Sequence, residues 1–213
     1  MMKKLFTLIL ATMLVSPVFA QLDNVGTRTR FNHNNTERYY GIRLGLNVAS
    51  LSSDMADMDM NSRAGLAFGG VYGIQLANSM PIWLEPGLYY SEKGGKTHDV
   101  NGDRVTCRIS YLEIPVVVKY AFDVADDFYV TPFLGGFVSL GIAGKVKEYG
   151  PQHSYSTYNN VNRPDAGLRI GCGAEYMMVY AELGFDFGLA NISKDDFKRV
   201  RTQTFFINVG VDF

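Results

Sequence analysis

The chain has 213 residues, with 20 Lys plus Arg against 21 Asp plus Glu, so no net basic charge points to nucleic acid. Its 22 glycines and 13% aromatic residues, at near-neutral hydropathy, suit a wall in which only every second residue faces lipid. No run of eighteen apolar residues occurs, which excludes a transmembrane helix.

The N-terminus reads as a signal peptide over residues 1–20. Lys3 and Lys4 precede an apolar run from Leu5 to Val15, and Val18 and Ala20 stand at the −3 and −1 positions of a cleavage site before Gln21. Gln21, not Cys, stands directly after that point, so a lipid anchor is not expected. Roughly 190 residues would remain, enough for one domain. Residues 21–38 are rich in Asn, Thr and Arg without apolar periodicity, and are expected to form a flexible periplasmic tail.

From residue 39 onward the sequence predicts an all-β fold, an eight-stranded antiparallel transmembrane β-barrel. Eight apolar-alternating runs cover 40–50, 64–77, 82–93, 107–121, 128–145, 165–177, 178–190 and 202–213. Each is long enough to cross an outer membrane at a tilt. The connections alternate. Asn78 to Pro81, Phe122 to Asp127 and Met177-Met178 are tight, whereas 51–63, 94–106, 146–164 and 191–201 are long and polar. Short periplasmic turns opposite long extracellular loops are the pattern of bacterial outer-membrane barrels.

Which face is apolar decides between a membrane barrel and a soluble one. One face reads Ile42, Leu44, Leu46, Val48, then Leu112, Ile114, Val116, Val118, Tyr120, then Ala181, Leu183, Phe185, Phe187, Leu189. The other carries Arg43, Glu85, Glu113, Lys119, Arg169, Glu175, Glu182, Asp186 and Asp212 among many glycines. A lysine or arginine facing lipid at mid-depth costs about 2–4 kcal/mol, so the charged face is expected to line the lumen. Eight strands leave an interior just wide enough for side chains. A closed, salt-bridged lumen follows, with Glu85–Lys119, Arg43–Asp212 and Arg169–Asp186 as the expected pairs. Tyr39, Tyr40, Trp83, Tyr120, Phe128, Tyr176 and Tyr180 lie near strand ends, where they are expected to form an interfacial girdle. Cys107 and Cys172 fall on non-neighbouring strands, so no disulfide is expected.

The last strand alternates Phe205, Ile207, Val209, Val211 and Phe213 with smaller or polar residues and ends on an aromatic. That pattern suits the strand that closes the wall and is read by the barrel-insertion machinery.

Two segments carry a family resemblance. Glu85-Pro86-Gly87-Leu88-Tyr89-Tyr90-Ser91-Glu92-Lys93-Gly94 resembles the third-strand signature of the PorT-type outer-membrane β-barrel family, and Tyr111-Leu112-Glu113-Ile114-Pro115-Val116-Val117-Val118-Lys119-Tyr120 resembles its fourth. The likeness extends in character over residues 40–213. It implies an OmpA-like barrel in the outer membrane of a Gram-negative bacterium, without an activity or functional residues to carry over. Best-studied members of that family take part in protein secretion.

Candidate sites for chemistry are few. His33, His98 and His153 fall in the tail and loops, away from any lipid-facing serine, so nothing resembles the Ser–His arrangement of a lipid-modifying enzyme. The chain is therefore expected not to be an enzyme, and no cofactor is implied. Asp54, Asp57 and Asp59 could hold Ca²⁺, but they lack the EF-hand spacing and read as a solvated acidic loop. Gly171-Cys172-Gly173 lacks the third glycine of a dinucleotide fingerprint. Tyr149, Tyr155 and Tyr158 among Ser, Asn and Gln form a candidate contact patch for a protein partner. Lys194, Lys198, Arg199 and Arg201 could engage phosphates of the surface glycolipid. Outer-membrane lipid and the insertion machinery complete the expected partners.

Overall fold

The computed structural model describes residues 38–53, 61–77, 80–98, 104–148, 154–157, 162–193 and 200–213. In chain order the strands are β1 (Arg38–Ser53), β2 (Asn61–Ala77), β3 (Met80–His98), β4 (Arg104–Tyr120), β5 (Phe122–Ala125), β6 (Phe128–Glu148), β7 (Ser154–Ser156), β8 (Pro164–Tyr176), β9 (Val179–Gly188) and β10 (Val200–Asp212). The pieces β5 and β7 are short: β5 continues the line of β4 past Ala121, and β7 adds to β6 at its far end. The other eight are joined antiparallel in one ring, β1-β2-β3-β4-β6-β8-β9-β10, and thirteen residue pairs from Gly41↔Asp212 to Ser53↔Val200 close it. Tyr40 and Phe213 exchange backbone hydrogen bonds at the seam.

The stagger of the ring can be read from its register. Following paired residues from Gly45 through Ala67, Ser91 and Tyr111 leads to Gly141. Following them the other way, through Asn208, Glu182 and Gly173, leads to Thr131. The two routes reach β6 ten residues apart. Ten residues of shear over eight strands tilts them about 40° from the barrel axis, within the range of membrane barrels.

The barrel is inside out relative to a soluble protein. Outward positions are apolar and exposed, as at Leu44 (60%) and Ile207 (49%), whereas inward neighbours such as Arg43 (1%) and Asn208 (3%) are buried. A surface of this kind is stable only against hydrocarbon. The strands run further than the alternation alone suggests: β3 reaches His98 and β4 starts at Arg104, so most of the segment read as the second loop is paired ladder. β1 likewise begins at Arg38, one residue inside the segment read as tail. Turns on one side are tight. Met177 (φ 56°) and Asp127 (φ 59°) adopt the left-handed conformation that closes β8 onto β9 and β5 onto β6, and the Met177 N–H donates to the Asp127 carbonyl.

Three members of the expected girdle point the other way. Tyr39, Trp83 and Tyr180 are each 1% exposed and lie in the lumen, while Tyr40, Tyr120 and Tyr176 face outward and Phe128 is half-buried. Strand parity is the reason: Tyr39 shares the face of Gly41 and Arg43, Trp83 that of Glu85, and Tyr180 that of Glu182. Nearness to a strand end does not turn a side chain round.

Depth should set the cost of an outward charge. Leu44→Arg, at mid-height beside Val209, is expected to destabilise the barrel by about 2–4 kcal/mol, and Tyr40→Arg near the turn-side edge by about 0–1 kcal/mol. Reversible urea unfolding in phospholipid vesicles would measure both. Equal costs would mean that the exposed apolar band does not sit in the bilayer.

Candidate functional site

The lumen is filled in layers along the barrel axis. At the turn side Tyr39, Val71, Trp83, Tyr89, Ala121 and Tyr129 form an apolar floor. Midway, Phe133 and Phe206 stack with centroids 6.4 Å apart beside Val117. At the loop side Leu51, Cys107, Ile109, Tyr111, Val146 and Ile192 form a cap. Ile192 comes from the segment after β9. It is held there by its own N–H donating to the Val200 carbonyl, and by the Asn162 N–H donating to its carbonyl. Asn191 Oδ1 accepts from the Val200 and Ser193 N–H groups.

Between floor and Phe stack lies the first charged layer. Arg43 forms a two-pronged pair with Asp212, one arm 2.8 Å long, and approaches Glu85 at 3.9 Å. Lys119 Nζ meets Glu85 at 2.7 Å and donates to the Tyr180 hydroxyl at 2.8 Å. The Tyr39 hydroxyl donates to Glu85, and Asn208 Nδ2 donates to Glu182 at 2.7 Å. Arg43 and Lys119 both sit over the Tyr180 ring, 4.1 and 4.3 Å from its centroid. Glu175 is buried below them, across from Tyr129 and Tyr180.

The second layer lies between the Phe stack and the cap. Arg169 grips Asp186 through two bonds of 2.7 Å and reaches Glu113 at 2.6 Å, with its guanidinium 4.6 Å above the Phe206 ring. Lys93 meets Glu113 at 2.5 Å and Asp186 at 3.6 Å, and lies over Phe137 at 4.4 Å. Asp165 accepts a 2.6 Å bond from the Thr202 hydroxyl.

All nine residues assigned to the lumen from sequence are buried, and Arg43–Asp212, Glu85–Lys119 and Arg169–Asp186 are in contact. Sequence reasoning missed Lys93 and Asp165, although the signal was present. Lys93 continues the odd-numbered face of Glu85, Tyr89 and Ser91, and Asp165 continues that of Arg169 and Gly167. Both sit at the limits set for their strands. The glycines serve close approach: the Asp212 carboxylate lies against Gly41 and the Tyr39 ring against Gly73, where a Cβ would overlap them. At Gly94 (φ +148°) a side chain would also strike the Cys107 carbonyl.

The two signature segments prove to be partners. They run antiparallel on β3 and β4, and their charges are reciprocal: Glu85 of the first pairs with Lys119 of the second, and Lys93 of the first with Glu113 of the second. These four charged positions therefore serve the lumen, while Glu92 of the first segment pairs with exposed Arg108 instead.

Among the candidate contact residues, Tyr149 and Tyr158 lie outside the described residues. Tyr155 falls on β7, paired with Val146, so that part of the predicted loop is strand. Asp54, Asp57, Asp59, His33, His153, Lys194, Lys198 and Arg199 also lie outside them; His98 ends β3, and Arg201 is exposed on β10. Cys107 and Cys172 are both free, the first buried and the second exposed. On the C-terminal strand Phe205, Ile207 and Val209 face outward and exposed, with Val211 and Phe213 half-exposed.

Breaking one buried pair should cost more than removing both partners. Arg43→Met strands Asp212 and is expected to lower stability by about 3–5 kcal/mol, whereas Arg43→Met with Asp212→Leu recovers a large part of that loss. A double-mutant cycle in vesicles measures the difference. Additive losses would mean that the two charges are not coupled.

No curated protein matches the chain. Among solved structures it is similar to Ail, the attachment invasion locus protein of Yersinia pestis (15% identity, 84% of this chain and 100% of that one, TM-score 0.43). It is also similar to Neisserial surface protein A (18%, 82% and 97%, TM-score 0.49) and to OprG from Pseudomonas aeruginosa (11%, 85% and 98%, TM-score 0.49). A family model for the outer membrane protein beta-barrel domain matches residues 19–194, most of the chain, and the protein belongs to that family.

Proposed function

We propose that this is a non-enzymatic outer-membrane protein that acts as a structural element or through a protein partner at its loop side, with a closed lumen. The observation that carries this reading is the continuous filling of the interior, from the Trp83 floor through two ion-pair layers to the Ile192 cap. Water and ions have no open path through side chains packed this way. The tight turns then face the periplasm and the longer connections face outward. Export through the N-terminal signal and recognition of the Phe205–Phe213 strand by the insertion machinery belong to the same reading.

A second reading has one feature in its favour. The β3 and β4 segments resemble PorT-type signatures, and that resemblance allows a role in a protein-secretion apparatus. Deleting the gene and cataloguing exported proteins separates the two: selective loss of exported proteins supports secretion, and an unchanged catalogue supports the structural or binding role.

In planar bilayers the purified protein is expected to give no stable, large conductance steps. Such steps, if sustained, would overturn the closed-lumen reading.

A further inference from the structure

The two rims of the barrel differ in charge. On the turn side the exposed charges of the described residues are Asp123 and Asp126, with Asp127 half-exposed, against Arg38. On the loop side Lys96, Arg108, Lys145, Lys147 and Arg201 are exposed beyond the last outward apolar residues of their strands, and Arg163 is exposed just before β8. On β4 Arg108 follows Leu112, and on β6 Lys145 and Lys147 follow Ile142.

Four of these cations are brought together by the sheet. Arg108 is the cross-strand partner of Lys145, and Thr106 links Lys96 on one side to Lys147 on the other. Directly opposed residues lie about 4.5–5.5 Å apart at Cα, so the four charges share one small face on β3, β4 and β6. Like charges at that spacing repel one another, and an isolated protein gains nothing from the arrangement. Among the described residues one carboxylate, Glu92, reaches the edge of this face, where it accepts hydrogen bonds from Arg108 and from the Tyr90 hydroxyl, fixing Arg108 in place. It neutralises one charge of the four.

We propose that Lys96, Arg108, Lys145 and Lys147 form a binding face for the phosphate groups of the glycolipid in the outer leaflet. The inference rests on the outer-membrane reading above, because only there does this rim meet a phosphorylated lipid. The face stands immediately beyond the apolar band, at the depth of lipid headgroups, and its charge is complementary to theirs. Arg108 supplies a planar two-pronged donor and the lysines supply mobile point charges. The acidic turn-side rim, facing the other leaflet, carries no equivalent cluster among the described residues.

The test uses full-length protein in phosphatidylcholine nanodiscs containing either diphosphorylated or dephosphorylated lipid A, with bound lipid counted by native mass spectrometry. The proposal expects retention of the diphosphorylated form alone, and roughly fivefold weaker retention for each cation removed in the series Arg108→Gln, Lys145→Gln, Lys147→Gln. Arg38→Gln on the opposite rim should change nothing. A heat-dependent gel shift on the same samples reports barrel insertion separately, so loss of insertion would count against the outer-membrane reading and not against the face. If the triple variant fails to fold, a salt titration of the unaltered protein serves, because phosphate contacts weaken as screening rises. Equal retention of both lipid forms, retention unaffected by the substitutions, or retention unaffected by salt would overturn the proposal. So would binding of a soluble anionic polysaccharide in lipid-A-free discs at the same residues, which would transfer the face to a different ligand.

Discussion

Hydrocarbon offers no hydrogen-bond partner to a backbone amide, and the architecture follows from that single constraint. A sheet that crosses a membrane has to close, and here the closure is the long ladder between β1 and β10. Closure divides the side chains into two populations, because alternation sends every second residue to the enclosed face. Shear and strand number then fix the space inside. Ten residues of stagger over eight strands leave room for packed side chains and no more, so whatever the enclosed face carries must pack and pair with itself.

That requirement accounts for the layered interior. Four buried cations, Arg43, Lys93, Lys119 and Arg169, face seven buried carboxylates on the inward side of the described residues, so four cations cannot be matched one to one with seven carboxylates. Sharing is what the contacts record: Arg43 serves Asp212 and Glu85, Lys119 serves Glu85 and Glu182, and Lys93 and Arg169 each serve Glu113 and Asp186. Aromatic faces complete the environment of each cation and separate the two layers. The apolar floor and cap shield both layers from water, and the lower effective dielectric strengthens each attraction while making an unpaired charge costly. Stability and closure thus have one cause.

Much of this was legible in the sequence because period-two alternation is a strict rule. Strand count, face assignment and the Arg43–Asp212 and Glu85–Lys119 pairs follow from parity plus neighbour order alone. Where a different rule was applied, it lost. Nearness to strand ends suggests a girdle for Tyr39, Trp83 and Tyr180, yet parity sends all three inward, the first two to the floor and Tyr180 to the charged layer above it. Strand limits read from where polar residues begin leave both Lys93 and Asp165 as terminal residues of their runs. Polar residues inside a barrel are ladder residues like any other, so polarity cannot mark where a strand stops. The Ile192 cap was beyond reach, since it depends on a chain segment folding back over the lumen, and no local periodicity encodes that. Loop-side chemistry was the least legible, because its signal lies in cross-strand register: Arg108 and Lys145 are far apart in sequence and adjacent only in the sheet.

Trp83 is the only tryptophan in the chain, and it is buried in the floor among Tyr39, Tyr89 and Tyr129. Its indole meets neither lipid nor water, and its ring lies 5.2 Å from that of Tyr39. Its fluorescence therefore acts as a natural spectroscopic label for one event, the sealing of the turn-side end of the barrel. Quenchers placed on lipid chains would be separated from it by the wall, and dissolved quenchers by the floor itself. A strand inserted in the bilayer but not yet joined into the ring would leave the indole open to both, so the emission distinguishes a chain that has merely entered the membrane from one that has finished closing.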